Sequence, residues 1–123
     1  MRRDRRQRAI NRGITILLVA KTGIDFLEPW CEFVHDQADA FLRELKMELA
    51  PDHPLHSAQL HPFGHSGASD DALFEADDGR IFQVHLTWSR HIEKAPLPRF
   101  QAYANTDEWI QTVMLPANED YRA

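Results

Sequence analysis

Two groups of residues in this chain have the types and spacing to do chemistry. The first is a histidine and a carboxylate brought together by a hairpin. Ala72–Ala76 and Arg80–Trp88 are β-type runs flanking Asp77-Asp78-Gly79. Asp-Gly between such runs marks a two-residue turn, because both central positions of a type I′ turn need positive φ. With Asp78-Gly79 as the loop, Asp77 faces Arg80, Leu73 faces Val84, Ala72 faces His85 and Asp70 faces Thr87. Asp70 and His85 then lie on one face as diagonal neighbours, about 7–8 Å apart and within side-chain reach. A carboxylate on an imidazole fixes its tautomer and raises its basicity, as a general acid/base requires. Gln83 and Thr87 share that face, and Arg90, His91 and Glu93 follow the strand. The catalytic candidates are therefore His85, Asp70 and His91. The binding candidates are His85, Asp70, Asp71, Gln83, Thr87 and Arg90. The competing reading is a satisfied structural pair with no chemistry, the commoner fate of such pairs.

The second group is a run of imidazoles. His53, His56, His61 and His65 fall within thirteen residues, around Pro54 and Pro62. Three converging rings would suit a borderline metal such as zinc. Their spacing matches no zinc pattern, however, so a His-rich surface loop is expected and no metal ligand or cofactor is assigned. Gly64-His65-Ser66-Gly67-Ala68 resembles a nucleophile elbow with alanine in the last place. That motif needs a buried strand before the serine and a helix after it. Here a proline-interrupted segment precedes it and a strand follows, so the motif is rejected.

The elements that must position these residues begin with a helix. Pro29 suits a first helical position. Trp30, Val34, Ala38, Phe41, Leu45 and Leu49 then recur at spacings of three and four, widened by Cys31, Phe33 and Leu42. Asp36, Asp39, Arg43, Lys46 and Glu48 occupy the other face, and Pro51 ends the pattern. This predicts one long amphipathic helix of about 21 residues, ~31 Å at 1.5 Å per residue. Ser57–Phe63 is read as a short edge strand because of Pro62, and Gly64–Ser69 as a loop. In the hairpin, Leu73, Phe82, Val84, Leu86 and Trp88 are expected to face the long helix. Ala72, Phe74, Ala76 and Ile81 join Gln83, His85 and Thr87 on the other face. Ser89–Arg99 is polar and proline-bearing, a long surface loop, and Phe100–Tyr103 alternates as a further strand. Asn105, with Glu108 three residues on, starts a short helix that Pro116 closes; the tail from Ala117 frays.

Composition bounds the function classes. The chain has 123 residues and net charge -5, with 43% hydrophobic and 27% charged residues. That is one globular domain of ordinary size. A single cysteine, Cys31, excludes an internal disulfide and suits a reducing compartment. The charge is uneven: residues 1–23 carry seven basic groups and one acidic, whereas 24–123 carry seven basic and 18 acidic, a net -11. The arginine arm is read as a solvated tail. It has no interleaved aromatics, and the body has no base-reading helix, so nucleic acid is not the expected partner. Ile14–Ala20 imitates an export signal but is short, and Lys21 stands where a cleavage site belongs. A short strand between Gly13 and Gly23 is expected there instead, in a chain that neither spans a membrane nor lies on one.

Asp70-Asp71-Ala72-Leu73-Phe74, Asp78-Gly79-Arg80, Val84-His85-Leu86-Thr87-Trp88-Ser89 and Trp109-Ile110 through Met114 occur in that order. This set resembles a family of small uncharacterised bacterial proteins with a DDxLF, DGR, VHLTWS and WIxxxM pattern, over about residues 28–121. The resemblance implies a bacterial, cytoplasmic protein and carries no activity, cofactor or catalytic residue with it. Residues 1–24, His61 and His65 lie outside the pattern.

The sequence thus predicts a basic extension, 1–23, and one α+β domain, 24–123. In that domain a long N-terminal amphipathic helix packs on a small antiparallel sheet of three to four strands, with a short C-terminal helix. The expected function is a non-enzymatic module that binds a protein partner or a second copy of itself, of immunity or antitoxin type. The alternative is a small hydrolase or nuclease using the His85/Asp70 patch.

Overall fold

The structure is a computed structural model that describes residues 24–123. The strand expected between Gly13 and Gly23 lies outside the described residues. Five antiparallel strands form one sheet in the order β1-β2-β3-β4-β5: β1 Trp30–Cys31, β2 Leu60–Ser66, β3 Asp71–Ala76, β4 Ile81–His85 and β5 Arg99–Tyr103. Helix α1, Gln37–Glu48, covers one face. The other face is covered by a continuous C-terminal run of α2 (Thr106–Trp109), a π-helical turn (Ile110–Met114) and α3 (Leu115–Arg122).

This corrects the expected architecture. No helix starts at Pro29, and α1 has 12 residues where about 21 were expected. Trp30 and Cys31 instead pair with Ser66 and His65 as an edge strand. The apolar spacing misled because its members serve two different cores. Trp30 packs edge-on against Trp109, ring centroids 5.1 Å apart, on the C-terminal-helix side. Leu45 and Leu49 pack with Phe74, Phe82 and Val84 on the other side. One straight helix cannot supply both faces of a sheet. Val34, placed in the apolar stripe by its spacing, is 55% exposed.

Pro62 does not make β2 an edge. The strand runs on through Gly64, His65 and Ser66 between β1 and β3, and the register shifts between Pro62 and Gly64. A bulge at that point accommodates a residue that cannot donate to the ladder. Gly64 sits where the chain passes closest to its neighbours: an added Cβ would lie 2.6 Å from Phe26 Cζ and 3.2 Å from the Cys31 carbonyl oxygen.

The hairpin turn is where the sequence places it, but it is longer by one residue. Ala76 N–H donates to Arg80 O and Gly79 N–H to Ala76 O, and Gly79 alone in the turn has positive φ, +94°. That is a three-residue loop closed by a glycine in the left-handed region, and a type I′ turn does not form. The register becomes Asp71↔His85, Ala72↔Val84, Leu73↔Gln83 and Phe74↔Phe82. A one-residue change in pairing moves β3 to the opposite face relative to β4. Ala72, Phe74 and Ala76 therefore join Phe82, Val84 and Leu86 under α1, while Leu73 joins Ile81 beneath the C-terminal run.

Asn105 caps that run as expected: its Oδ1 accepts from Glu108 N at 2.8 Å, and Glu108 Oε1 accepts from Ala104 N. Pro116 does not close it. Leu115 N–H reaches back five residues to Ile110 O, and the widened π turn carries the helix past a residue without an N–H, on to Arg122. Among the described residues no helix is long and apolar enough to cross a membrane.

Candidate functional site

His85 stands near one end of β4, opposite Asp71 on β3 and Arg99 on β5. Its Nδ1 donates to Asp71 Oδ1 at 2.7 Å. The other oxygen, Asp71 Oδ2, accepts from Gln83 Nε2 at 2.8 Å, and Gln83 Oε1 accepts from the indole N–H of Trp109 at 2.9 Å. A fully buried tryptophan thus orients an amide, which orients a carboxylate, which orients an imidazole. The expected partner was Asp70, and this is corrected. The three-residue loop places Asp70 beside Leu86, whose N–H its carbonyl accepts, and out of the row that holds His85. The His85 side chain is 58% exposed, so this is an oriented but open imidazole.

The other predicted residues belong elsewhere. His91 Nδ1 contacts the Ile92 carbonyl, and the ring lines a shallow groove of about 720 Å³ with Lys46, Met47, Leu49, Pro51, His56 and Ile92. It shares no contact with His85. Thr87 and Arg90 are drawn by their backbone to a feature that sequence reasoning missed, a pair of buried carboxylates on α1.

Glu44 and Glu48 are 2% and 0% exposed. Glu48 was expected on the solvent face, and this too is corrected. Both Glu48 oxygens accept from Thr87 N, at 3.0 and 3.1 Å, and Oε2 also accepts from Trp88 N at 2.9 Å. Glu44 Oε2 accepts from Arg90 N at 3.0 Å, and the Glu48 carbonyl accepts from Glu93 N. Thr87 Oγ1 donates to Glu93 Oε2 at 2.6 Å. Hydrogen bonds from Thr87 and then Ser89 hold the Glu93 carboxyl below its ordinary range. Burial, reinforced by the hydrogen bond to Glu44, pushes Glu48 up from 4.5 to about 7, against the lowering effect of the Thr87 and Trp88 amides. The two side chains are one turn apart on a single helix face. A signal existed in the sequence: residues 44 and 48 fall in the sector of Phe41 and Leu45, at the three- and four-residue spacings the apolar stripe itself uses.

The loop above this pair is strained. Trp88 and Arg90 have φ of 56° and 65°. Left-handed non-glycine residues cost about 1–2 kcal/mol each. Hydrogen bonds from the Thr87, Trp88 and Arg90 amides contribute about 0.5–1.5 kcal/mol each, so the two carboxyl groups hold the loop in this shape. The result is an exposed aromatic ridge. Trp88, 36% exposed, meets Phe41 edge-on at 5.0 Å; Phe41 lies 4.9 Å from Phe33; and His65 stacks on Phe33 at 5.1 Å with an 11° interplanar angle. Cys31 Sγ lies 3.6 Å from His65 Nε2, and burial pushes that thiol up, away from the thiolate a nucleophile needs.

The four clustered histidines point four ways. His53 is buried, with Nε2 on the Pro98 carbonyl and Nδ1 accepting from Leu55 N. His61 pairs with Asp77, His65 joins the ridge and His56 lines the groove. Among the described residues no three His, Cys, Asp or Glu side chains converge as metal ligands would.

No protein-family model, curated protein or solved structure matches the chain. The functional reading therefore rests on this geometry.

Proposed function

We propose that this chain is a non-enzymatic protein-binding module of a bacterial cytoplasm, with a role of immunity or antitoxin type, and that the Trp88 ridge is its contact surface. The observation that carries the reading is Trp88 itself. A large ring stands about one-third in solvent on a backbone that two buried carboxyl groups hold in a strained conformation. Folding energy spent holding an exposed aromatic in one pose is characteristic of a preorganised binding loop, which loses little entropy on association. Tryptophan is also the residue most enriched among interface anchors. Tagged chain and its Trp88→Ala variant, compared in quantitative pull-downs from a native lysate and by sedimentation, test this. The expected result is a discrete protein, or a second copy, retained by the wild type and lost from the variant. Identical retention by both would refute the ridge.

A second reading has its own observation. The Trp109-Gln83-Asp71-His85 series orients one ring nitrogen and turns the other away from the carboxylate, as a general base in a small hydrolase or nuclease needs. The open setting of His85 and the acidic body both favour the binding reading, since a nuclease must approach phosphates. Hydrolysis of ester or phosphodiester substrates that disappears in both His85→Ala and Asp71→Asn would reverse that order.

A further inference from the structure

We propose that the Phe33/Phe41/Trp88 ridge receives an arginine-bearing basic segment of a partner protein. This rests on the ridge being a binding surface and adds the chemistry of what it binds. Guanidinium is planar and weakly hydrated, and it stacks on aromatic faces better than any other cation among the side chains. The chain uses the pairing internally: the Arg80 guanidinium lies 5.1 Å above the Phe82 ring. The ridge offers three aromatic rings in series, Phe33 against Phe41 and Phe41 against Trp88, with His65 stacked on Phe33.

Charge around the ridge selects the same partner. Segments 31–43, 65–71 and 86–92 supply its rings and their flanks. Glu32, Asp36, Asp39 and Asp70 are exposed in them, against Arg43 and Arg90. An acidic segment would meet like charge at each of these carboxylates, and a nucleic acid would meet it along its whole backbone. A basic segment would place guanidinium groups over the rings and further cations on the rim. The net -11 of residues 24–123 would also speed its approach.

The test is a titration of the isotope-labelled full chain with a peptide of about twelve residues alternating arginine and glycine, followed by NMR. A glutamate–glycine peptide and a neutral leucine–serine peptide serve as controls. The expected result is shifts concentrated on the Trp88 indole N–H and the Phe33 and Phe41 amides. Affinity should fall about tenfold when salt is raised from low to several times physiological strength. Trp88→Ala should weaken binding about tenfold, whereas Trp88→Phe, which keeps an aromatic face, should retain most of it. Shifts spread over the whole acidic surface, with Trp88→Ala unchanged, would reduce the effect to general charge attraction and overturn the proposal. Equal binding of the neutral peptide at the ridge would leave the binding surface standing and overturn its preference for arginine. If no peptide moves the ridge resonances, the arginine preference is overturned, while retention by the wild type and its loss from Trp88→Ala in the pull-down still decide the ridge itself. Contacts of residues 1–23 with the ridge that exclude the peptide would make the chain's own arm the occupant and overturn the partner assignment.

Discussion

Replacing Glu48 by glutamine removes its titratable proton while keeping an oxygen to accept the Thr87 and Trp88 amides. In the folded chain Glu48 titrates near pH 7, raised by burial and by Glu44 from 4.5. An unfolded chain releases that proton near its ordinary value. Between those two pH values the folded state binds more protons than the unfolded state, so stability falls as pH rises and levels off above about 7. Each pH unit in that window contributes about 1.4 kcal/mol, which makes the full loss at most about 3.5 kcal/mol. For a domain near 100 residues this corresponds to a drop in Tm of about 10 °C or more. Urea unfolding followed by circular dichroism at pH 5, 6, 7 and 8 measures it. The wild-type midpoint should fall across the series, and Glu48→Gln should lack that component and be the more stable protein at pH 8. Ionisations common to both proteins cancel, so the difference between the two curves isolates Glu48. Parallel curves would refute the assignment. Glu44→Gln should reduce the fall, because it removes the carboxylate whose hydrogen bond and charge help to raise Glu48.

Three further outcomes follow from packing and backbone geometry. Gly64→Ala should destabilise by about 1–3 kcal/mol, because its Cβ would collide with Phe26, while Gly67→Ala, 3.4 Å from the nearest atom, should be tolerated; thermal melts of the two variants separate them. Gly79→Ala meets no atom within 4 Å but must hold a φ of +94°, so it should cost about 1–2 kcal/mol through the backbone alone; amide exchange should speed up first across the β3–β4 hairpin. Asn105→Ala removes the cap on Glu108 N and should cost about 1 kcal/mol, read as increased exchange in α2.

Parts of the sheet and the start of the C-terminal run were legible in the sequence, and the failures have physical causes. The alternation of Phe82, Val84 and Leu86 correctly put those side chains on one face, and Asn105 with Glu108 marked a helix start. The turn at Asp77-Asp78-Gly79 was located, yet its length was not fixed by composition. Asp-Gly serves both a two-residue turn and a three-residue loop, and the choice decides whether Asp70 or Asp71 meets His85. Both faces of β3 are buried, so its own pattern of Ala72, Leu73 and Phe74 could not arbitrate. The long helix failed because three-and-four spacing is blind to which sheet face each residue serves. Glu48 was assigned to solvent by residue type, although its partners are backbone amides of a loop some forty residues away. Such partners leave no trace in side-chain pattern.

Site-specific photo-crosslinking in cells that make the protein tests the proposed contact of a partner protein at Trp88 most directly. A benzophenone side chain is placed at position 88 and, as a control, at Gln111, exposed on the C-terminal run across the sheet. A discrete cross-linked protein from position 88 and none from position 111 is the predicted result. The same products from both positions, or none from position 88, would contradict the account.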